Sequence, residues 1–162
     1  MSTYAAYHQD GRNKATHFVG VPLIVLSLMI PLAWVRIDLA GMGISAAMVI
    51  TTVLLAYYLA LDFVLGLAMV VVMGALLWLG QALASRGTLA GLTWFAVLFA
   101  GGWMLQLVGH VFEGRRPALA DNLFQIFVAP IFLCAEAFFA LGYKPKLHSA
   151  VIERARQMRA AV

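Results

Sequence analysis

The run L-A-G-M-G-I-S-A-A-M-V-I-T-T-V-L-L-A-Y-Y-L-A-L-D-F-V-L-G-L-A-M-V-V-V-M-G-A-L-L-W-L-G-Q-A-L-A-S, from Leu39 to Ser85, holds one charged side chain, Asp62. About 20 apolar residues in a helix cross the roughly 30 Å hydrocarbon core of a bilayer. The run therefore reads as two spans, Leu39 to Leu61 and Phe63 to Ser85, with Asp62 at their junction. On the N-terminal side, Phe18 to Val35 is uncharged and shorter, and carries Pro22 and Pro31. Pro22 suits a first helical turn, where its missing N–H costs nothing. On the C-terminal side, Gly87 to Phe112 is a fourth span. The polar run Glu113 to Asn122 follows, with Arg115, Arg116 and Pro117. Leu123 to Tyr143 is a fifth apolar segment, interrupted by Pro130 and containing Glu136.

Composition agrees with this division. Of 162 residues, 64% are apolar and 11% charged, against about half and about a quarter in soluble domains. Mean hydropathy is +0.92. A chain this short leaves too much surface exposed to hide that excess in water. The composition excludes a soluble globular enzyme, a disordered chain and a nucleic-acid-binding module, and leaves one integral membrane domain over residues 1–162. The net charge of +4 then reads as Lys and Arg kept in cytoplasmic loops and near membrane lipids. The polar N-terminal stretch is too long for a cleavable signal peptide. The single cysteine, Cys134, excludes an internal disulfide and a cysteine-based metal cluster.

The expected architecture is all-α and polytopic. Four spans put the N-terminus, with Arg12 and Lys14, on the same cytoplasmic side as Arg115 and Arg116. A fifth full span would carry the basic tail across. Residues 123–143 are therefore expected to form a re-entrant hairpin folded at Pro130, buried against protein, with a fifth span as the alternative. In the tail, residues 144–162, Leu147, Val151, Ala155, Met158 and Val162 fall at helical spacing opposite basic residues. This is an amphipathic helix lying on anionic lipid.

Ionisable residues at membrane depth are functional candidates. Gln106, His110 and Glu113 stand at i, i+4 and i+7, on one helical face. The expected topology returns His110 to the end of the bundle occupied by His8 and His17, in the segment 1–17 that precedes the membrane bundle 18–143. Three imidazoles are a donor set for a catalytic first-row metal with an open position. Glu136, between Ala135 and Ala137, needs a partner or a proton. A lone interfacial histidine is also an ordinary anchor, and His148 is assigned that role. No P-loop, GxSxG, HExxH or CxxCH motif is present. These residues alone support a polytopic membrane protein with a His-rich site, and leave open a zinc or di-metal hydrolase, a bis-His haem electron carrier, and a small transporter or scaffold using Asp62 and Glu136.

Two strings go further. Tyr7 to Pro22 reads Y-H-Q-D-G-R-N-K-A-T-H-F-V-G-V-P, and Gln106 to Glu136 reads Q-L-V-G-H-V-F-E-G-R-R-P-A-L-A-D-N-L-F-Q-I-F-V-A-P-I-F-L-C-A-E. Together, and in this order, they resemble the membrane family of the fungal endoplasmic-reticulum 2-hydroxy fatty acid dioxygenase. The resemblance implies non-haem Fe(II) held by His8, His17 and His110. It implies conversion of a 2-hydroxy fatty acid and O2 to the acid one carbon shorter, CO2 and water. The substrate supplies all four electrons, so neither 2-oxoglutarate nor NADH is needed. The family's other polar positions fall on Glu113, Glu136, Asn122, Asn13 and Gln106. Glu113, Glu136 and Asn122 are expected in catalysis; Asn13 and Gln106 are expected to bind substrate. Arg115 and Arg116 are expected to clamp its carboxylate. The acyl chain would lie in an apolar tunnel among the spans, with the head at the cytoplasmic face of an inner, plasma or endoplasmic-reticulum membrane.

Overall fold

The computed structural model describes residues 2–114 and 125–160. They form seven helices and one two-stranded hairpin: α1 (Ser2–Tyr7), α2 (Gly11–Trp34), β1 (Arg36–Leu39), β2 (Met42–Ser45), α3 (Ala46–Leu61), α4 (Phe63–Ala84), α5 (Thr88–Glu113), α6 (Gln125–Ala140) and α7 (Pro145–Ala160). Among the described residues three helices are long and apolar enough to cross a membrane: Gly11–Trp34, Phe63–Ala84 and Thr88–Glu113. The chain packs as two compact units. One joins Met1–Val19 to Leu105–Val162, and the other is Gly20–Met104.

In the Gly20–Met104 unit, the expected second span is shorter than its apolar run. Residues Leu39 to Ser45 are in the antiparallel hairpin, with Leu39 opposite Met42 and Arg36 opposite Ser45. Gly41, at φ 82, makes the tight turn that an L side chain disfavours. Asp38 Oδ1 accepts from the Gly41 N–H at 2.9 Å. Helix α3 starts only where the Ser45 side chain caps the Met48 N–H. Its 16 residues rise about 24 Å, short of a full crossing. Asp62 is the junction expected of it: its carboxylate accepts from Val64 and Leu65 N–H and caps α4. A Cβ on Gly66 would fall 2.6 Å from Leu59 Cα, so only glycine lets the start of α4 lie this close to α3. On α5, Gly91 meets the Trp34 ring and Gly102 meets Ile24 and the Gly20 carbonyl. These small residues let helix backbones approach, the means of helix association that works where lipid supplies no hydrophobic force. Ile30, Ala33 and Ala84 form a buried cluster covered by Leu83, Phe95 and Leu98. Phe63, Val71, Trp78 and Leu89 remain exposed, as lipid-facing groups should.

The other unit holds α1, the first turns of α2, the end of α5, α6 and α7. Three expectations are corrected here. Helix α2 starts at Gly11 rather than Phe18, so Pro22 lies in its interior and not in its first turn. The earlier start follows from capping: the Arg12 N–H is accepted by Asp10 Oδ1 at 2.8 Å. Residues 125–140 do not fold back at Pro130. They form one continuous helix with Pro130 inside it. A reversal at this depth would strip backbone groups of partners on both arms, whereas a helical proline forfeits one N–H bond. The apolar face of α6 is also committed to packing, with Val128, Ala129, Ile131, Phe132, Leu133, Ala135 and Phe139 buried. Finally, the tail helix α7 packs against α1, with Val151 and Ala155 buried. His148 stacks on Phe139, with ring centroids 4.7 Å apart.

Candidate metal centre

His8 directly follows α1, His17 lies in the second turn of α2, and His110 in the last turn of α5. Their exposures are 2%, 1% and 7%. One donor atom from each lies within 4.8 Å of the others. The sequence-level expectation that these three converge agrees with this geometry.

The local folding of each histidine determines which nitrogen it presents. His8 Nδ1 lies 2.7 Å from the Tyr4 carbonyl, and His17 Nδ1 lies 2.9 Å from the Asn13 carbonyl. A carbonyl only accepts, so each Nδ1 carries the proton and donates it. Each Nε2 is therefore a bare lone pair. Those two Nε2 atoms face each other at 3.1 Å. Two acceptors at that distance repel unless a cation lies between them. Burial pushes His8 down to about 3, opposed by its bond to the Tyr4 carbonyl and reinforced by His17, His110 and Lys14. A proton is thus a poor occupant at neutral pH. A metal fits: nitrogen ligands about 2.1 Å from one first-row ion stand about 3.0–3.4 Å apart. Backbone carbonyls holding the opposite ring nitrogen fix ligand orientation. The Tyr4 ring, stacked on His8 at 4.0 Å and 8°, fixes the plane of that imidazole further. Nε2 atoms this close leave no room for a haem plane between His8 and His17, against the bis-His electron-carrier alternative.

Glu113 does not stand alone on its face of α5. Its Oε2 accepts from the Gln9 N–H at 2.9 Å, the Asp10 N–H at 2.8 Å and Asn13 Nδ2 at 3.1 Å. One carboxylate thereby holds the segment between His8 and α2. Gly114, at φ 65, ends α5 immediately afterwards. Asn13 is fully buried with no hydrogen-bond partner at Oδ1 among the described residues, and buried Gln106 has none at Nε2. Glu136 forms an ion pair with Lys14, Oε2 to Nζ, at 2.6 Å. Arg115, Arg116 and Asn122, expected as clamp and catalytic residues, lie outside the described residues.

Three contributors escaped the sequence reading. Lys14 was legible only as a topogenic charge. Tyr4 contributes a carbonyl and a ring. Gly109 precedes His110, and a Cβ there would collide with Thr16 Oγ1, fall 2.5 Å from Asn13 Oδ1 and reach 3.1 Å from His17 Nδ1. The Gly-His pair was its only sequence signal.

Comparison with known proteins places this site in a family. The family model described as 2-hydroxy-palmitic acid dioxygenase Mpo1-like matches residues 1–141. The chain belongs to the Mpo1-like family. Within it, the 2-hydroxy-palmitic acid dioxygenase MPO1 of Saccharomyces cerevisiae is 37% identical over 153 residues, covering 93% of this chain and 84% of the yeast protein. All three histidines fall inside the stretch matched by the Mpo1-like model. No solved structure matches the chain.

Proposed function

We propose that the chain is a membrane-embedded, non-haem Fe(II) dioxygenase that shortens 2-hydroxy fatty acids by one carbon. The observation that carries this reading is the pair of bare Nε2 atoms on His8 and His17 facing each other at 3.1 Å, with buried His110 beside them. The yeast relative's name supplies the substrate class. The balance closes without a cosubstrate: one 2-hydroxy acid and one O2 give the shortened acid, CO2 and water.

His8, His17 and His110 would hold the iron, which supplies the binding and one-electron chemistry of dioxygen that no side chain here performs. Their neutrality leaves the ion its full charge to attract an anionic head group. The Tyr4 and Asn13 carbonyls keep two imidazoles in the ligating tautomer. Glu113, its Oε2 occupied by three N–H donors, keeps the His8 segment in place. Glu136 is the better placed of the two carboxylates to take the proton of the 2-hydroxyl. Its Oε1 is buried with no hydrogen-bond partner among the described residues, and a buried acceptor left open is costly. Asn13 Oδ1 and Gln106 Nε2 offer an acceptor and a donor to the substrate head. Arg115, Arg116 and Asn122 retain their proposed roles as clamp and catalytic group. The head group would react at the cytoplasmic face, with the acyl chain in the membrane.

The test is product formation. Purified protein is loaded anaerobically with Fe(II), mixed with 2-hydroxyhexadecanoic acid and exposed to O2. Pentadecanoic acid should appear by mass spectrometry, dependent on iron and O2 alone. Iron-loaded protein that forms none, from this acid or from longer and shorter 2-hydroxy acids, overturns the reading.

A further inference from the structure

The Lys14–Glu136 pair is built unlike a simple helix tie. The side chains are 23% and 11% exposed, and Nζ meets only one carboxylate oxygen, at 2.6 Å. The other, Oε1, is buried and has no hydrogen-bond partner among the described residues. An ammonium has three donors, and here one of them is given to Glu136 Oε2.

The pair also sits beside the imidazoles. Lys14 is three residues before His17 on α2, a neighbouring position one turn away. Glu136 is four residues after Phe132 on α6. The Phe132 ring lies against Tyr4 at 4.7 Å and near His8 at 6.5 Å. On α2, then, the pair lies one turn from a histidine of the cluster, and on α6 one turn from the phenylalanine whose ring neighbours His8.

A 2-hydroxy acid has the complementary head: a carboxylate that only accepts, and on the next carbon a hydroxyl that donates. We infer that Lys14 anchors the substrate carboxylate while Glu136, still paired through Oε2, accepts the 2-hydroxyl at Oε1. This rests on the function proposed above and extends it to specificity. Lys14 selects for the acid, and Glu136 selects for the hydroxyl next to it. Both are positioned by the same ion pair, which fixes the spacing between the two recognition points.

The experiment is equilibrium binding to the full-length, iron-loaded protein in detergent under anaerobic conditions, where no turnover occurs. The probes are 2-hydroxyhexadecanoate, hexadecanoate and the methyl ester of 2-hydroxyhexadecanoic acid. Lys14→Met should weaken both acids by about tenfold or more, as loss of a charge-assisted bond does, and leave the ester unchanged. Lys14→Arg should restore most of the acid binding. Glu136→Gln should erase the preference for the 2-hydroxy acid over hexadecanoate. Iron content and melting temperature are measured for every variant, and Lys14→Arg keeps the test decisive if Lys14→Met fails to fold. Equal loss for acids and ester, or no loss for either, overturns the assignment of Lys14. Wild-type protein that oxidises 2-hydroxy acids while Lys14→Met keeps its KM overturns this inference alone. Wild-type protein that oxidises none overturns the function beneath it.

Discussion

His8 and His17 aim unprotonated Nε2 atoms at each other across 3.1 Å, while each Nδ1 is tied to the carbonyl four residues earlier. Without a cation this arrangement is repulsive, so a metal bound there, as proposed, would contribute to stability as well as to chemistry. Chelation of purified protein should lower its melting temperature by several degrees, in line with linkage between folding and a native-state ligand. Zn(II) should restore the melting temperature but not product, because zinc has no redox chemistry. Equal melting temperatures for chelated, zinc-loaded and iron-loaded protein would remove the metal from this cluster.

The same pair gives metal-free protein a pH dependence. Native His8 lies at about 3, against about 6.5 in the unfolded chain. Between those values the unfolded state binds more protons. The contribution is therefore complete above about pH 6.5 and is lost as pH falls toward 3, by at most about 1.4 kcal/mol per pH unit. Melting temperatures of the chelated protein between pH 7 and pH 5 should fall, and His8→Leu should flatten the slope. An unchanged slope in His8→Leu would assign the titration elsewhere.

Gly109→Ala should abolish iron binding, since its Cβ would enter the space of Thr16 and Asn13 beside His17. Gly101, on the same helix, has nothing within 4 Å of its ideal Cβ. Gly101→Ala should be neutral or stabilising by up to about 1 kcal/mol, from helix propensity. Iron content of the two variants by mass spectrometry checks the contrast, and equal retention would show that Gly109 has room to spare.

Glu113→Ala should free the Gln9 and Asp10 amides. Breaking charge-assisted bonds of this kind costs about 1–3 kcal/mol. Hydrogen exchange at those two amides should accelerate and iron affinity should fall, with α6 protected as before. Unchanged exchange at Gln9 and Asp10 would contradict the clamp.

Pro130→Ala should raise the melting temperature, because α6 is continuous through Pro130 and alanine restores an N–H to an intact helix. A loss of stability or activity would show that packing of the Pro130 ring outweighs the restored N–H bond.

Much of the site was legible because helical periodicity carries it. Asn13 with His17, and Gln106 with His110, are i, i+4 pairs whose shared face needs no tertiary information. Charges misled where each had a private partner. Arg12 and Lys14 mark the edge of a span by composition, yet both lie within α2. Arg12 pairs with Asp10 and covers the Phe112 ring, and Lys14 pairs with Glu136. Leu39, Met42 and Ile44 count toward a span by hydropathy, although the glycines among them favour a hairpin. Lys14 with Glu136, and Gly109 against Asn13, are tertiary coincidences between distant segments. No local pattern encodes them.

The clamp between Glu113 and the amides of Gln9 and Asp10 also sets an order of events in biosynthesis. His8 and His17 leave the ribosome early and wait through the synthesis of α3, α4 and most of α5 before His110 and Glu113 arrive. Until then the two imidazoles have no third partner and their connecting segment has no anchor. Under the proposed function, metal loading would therefore belong to the end of membrane insertion. Because Tyr4, Ala5 and Ala6 are buried beneath later segments, an affinity tag fused close to Ser2 should interfere with maturation more than one placed after Ala160.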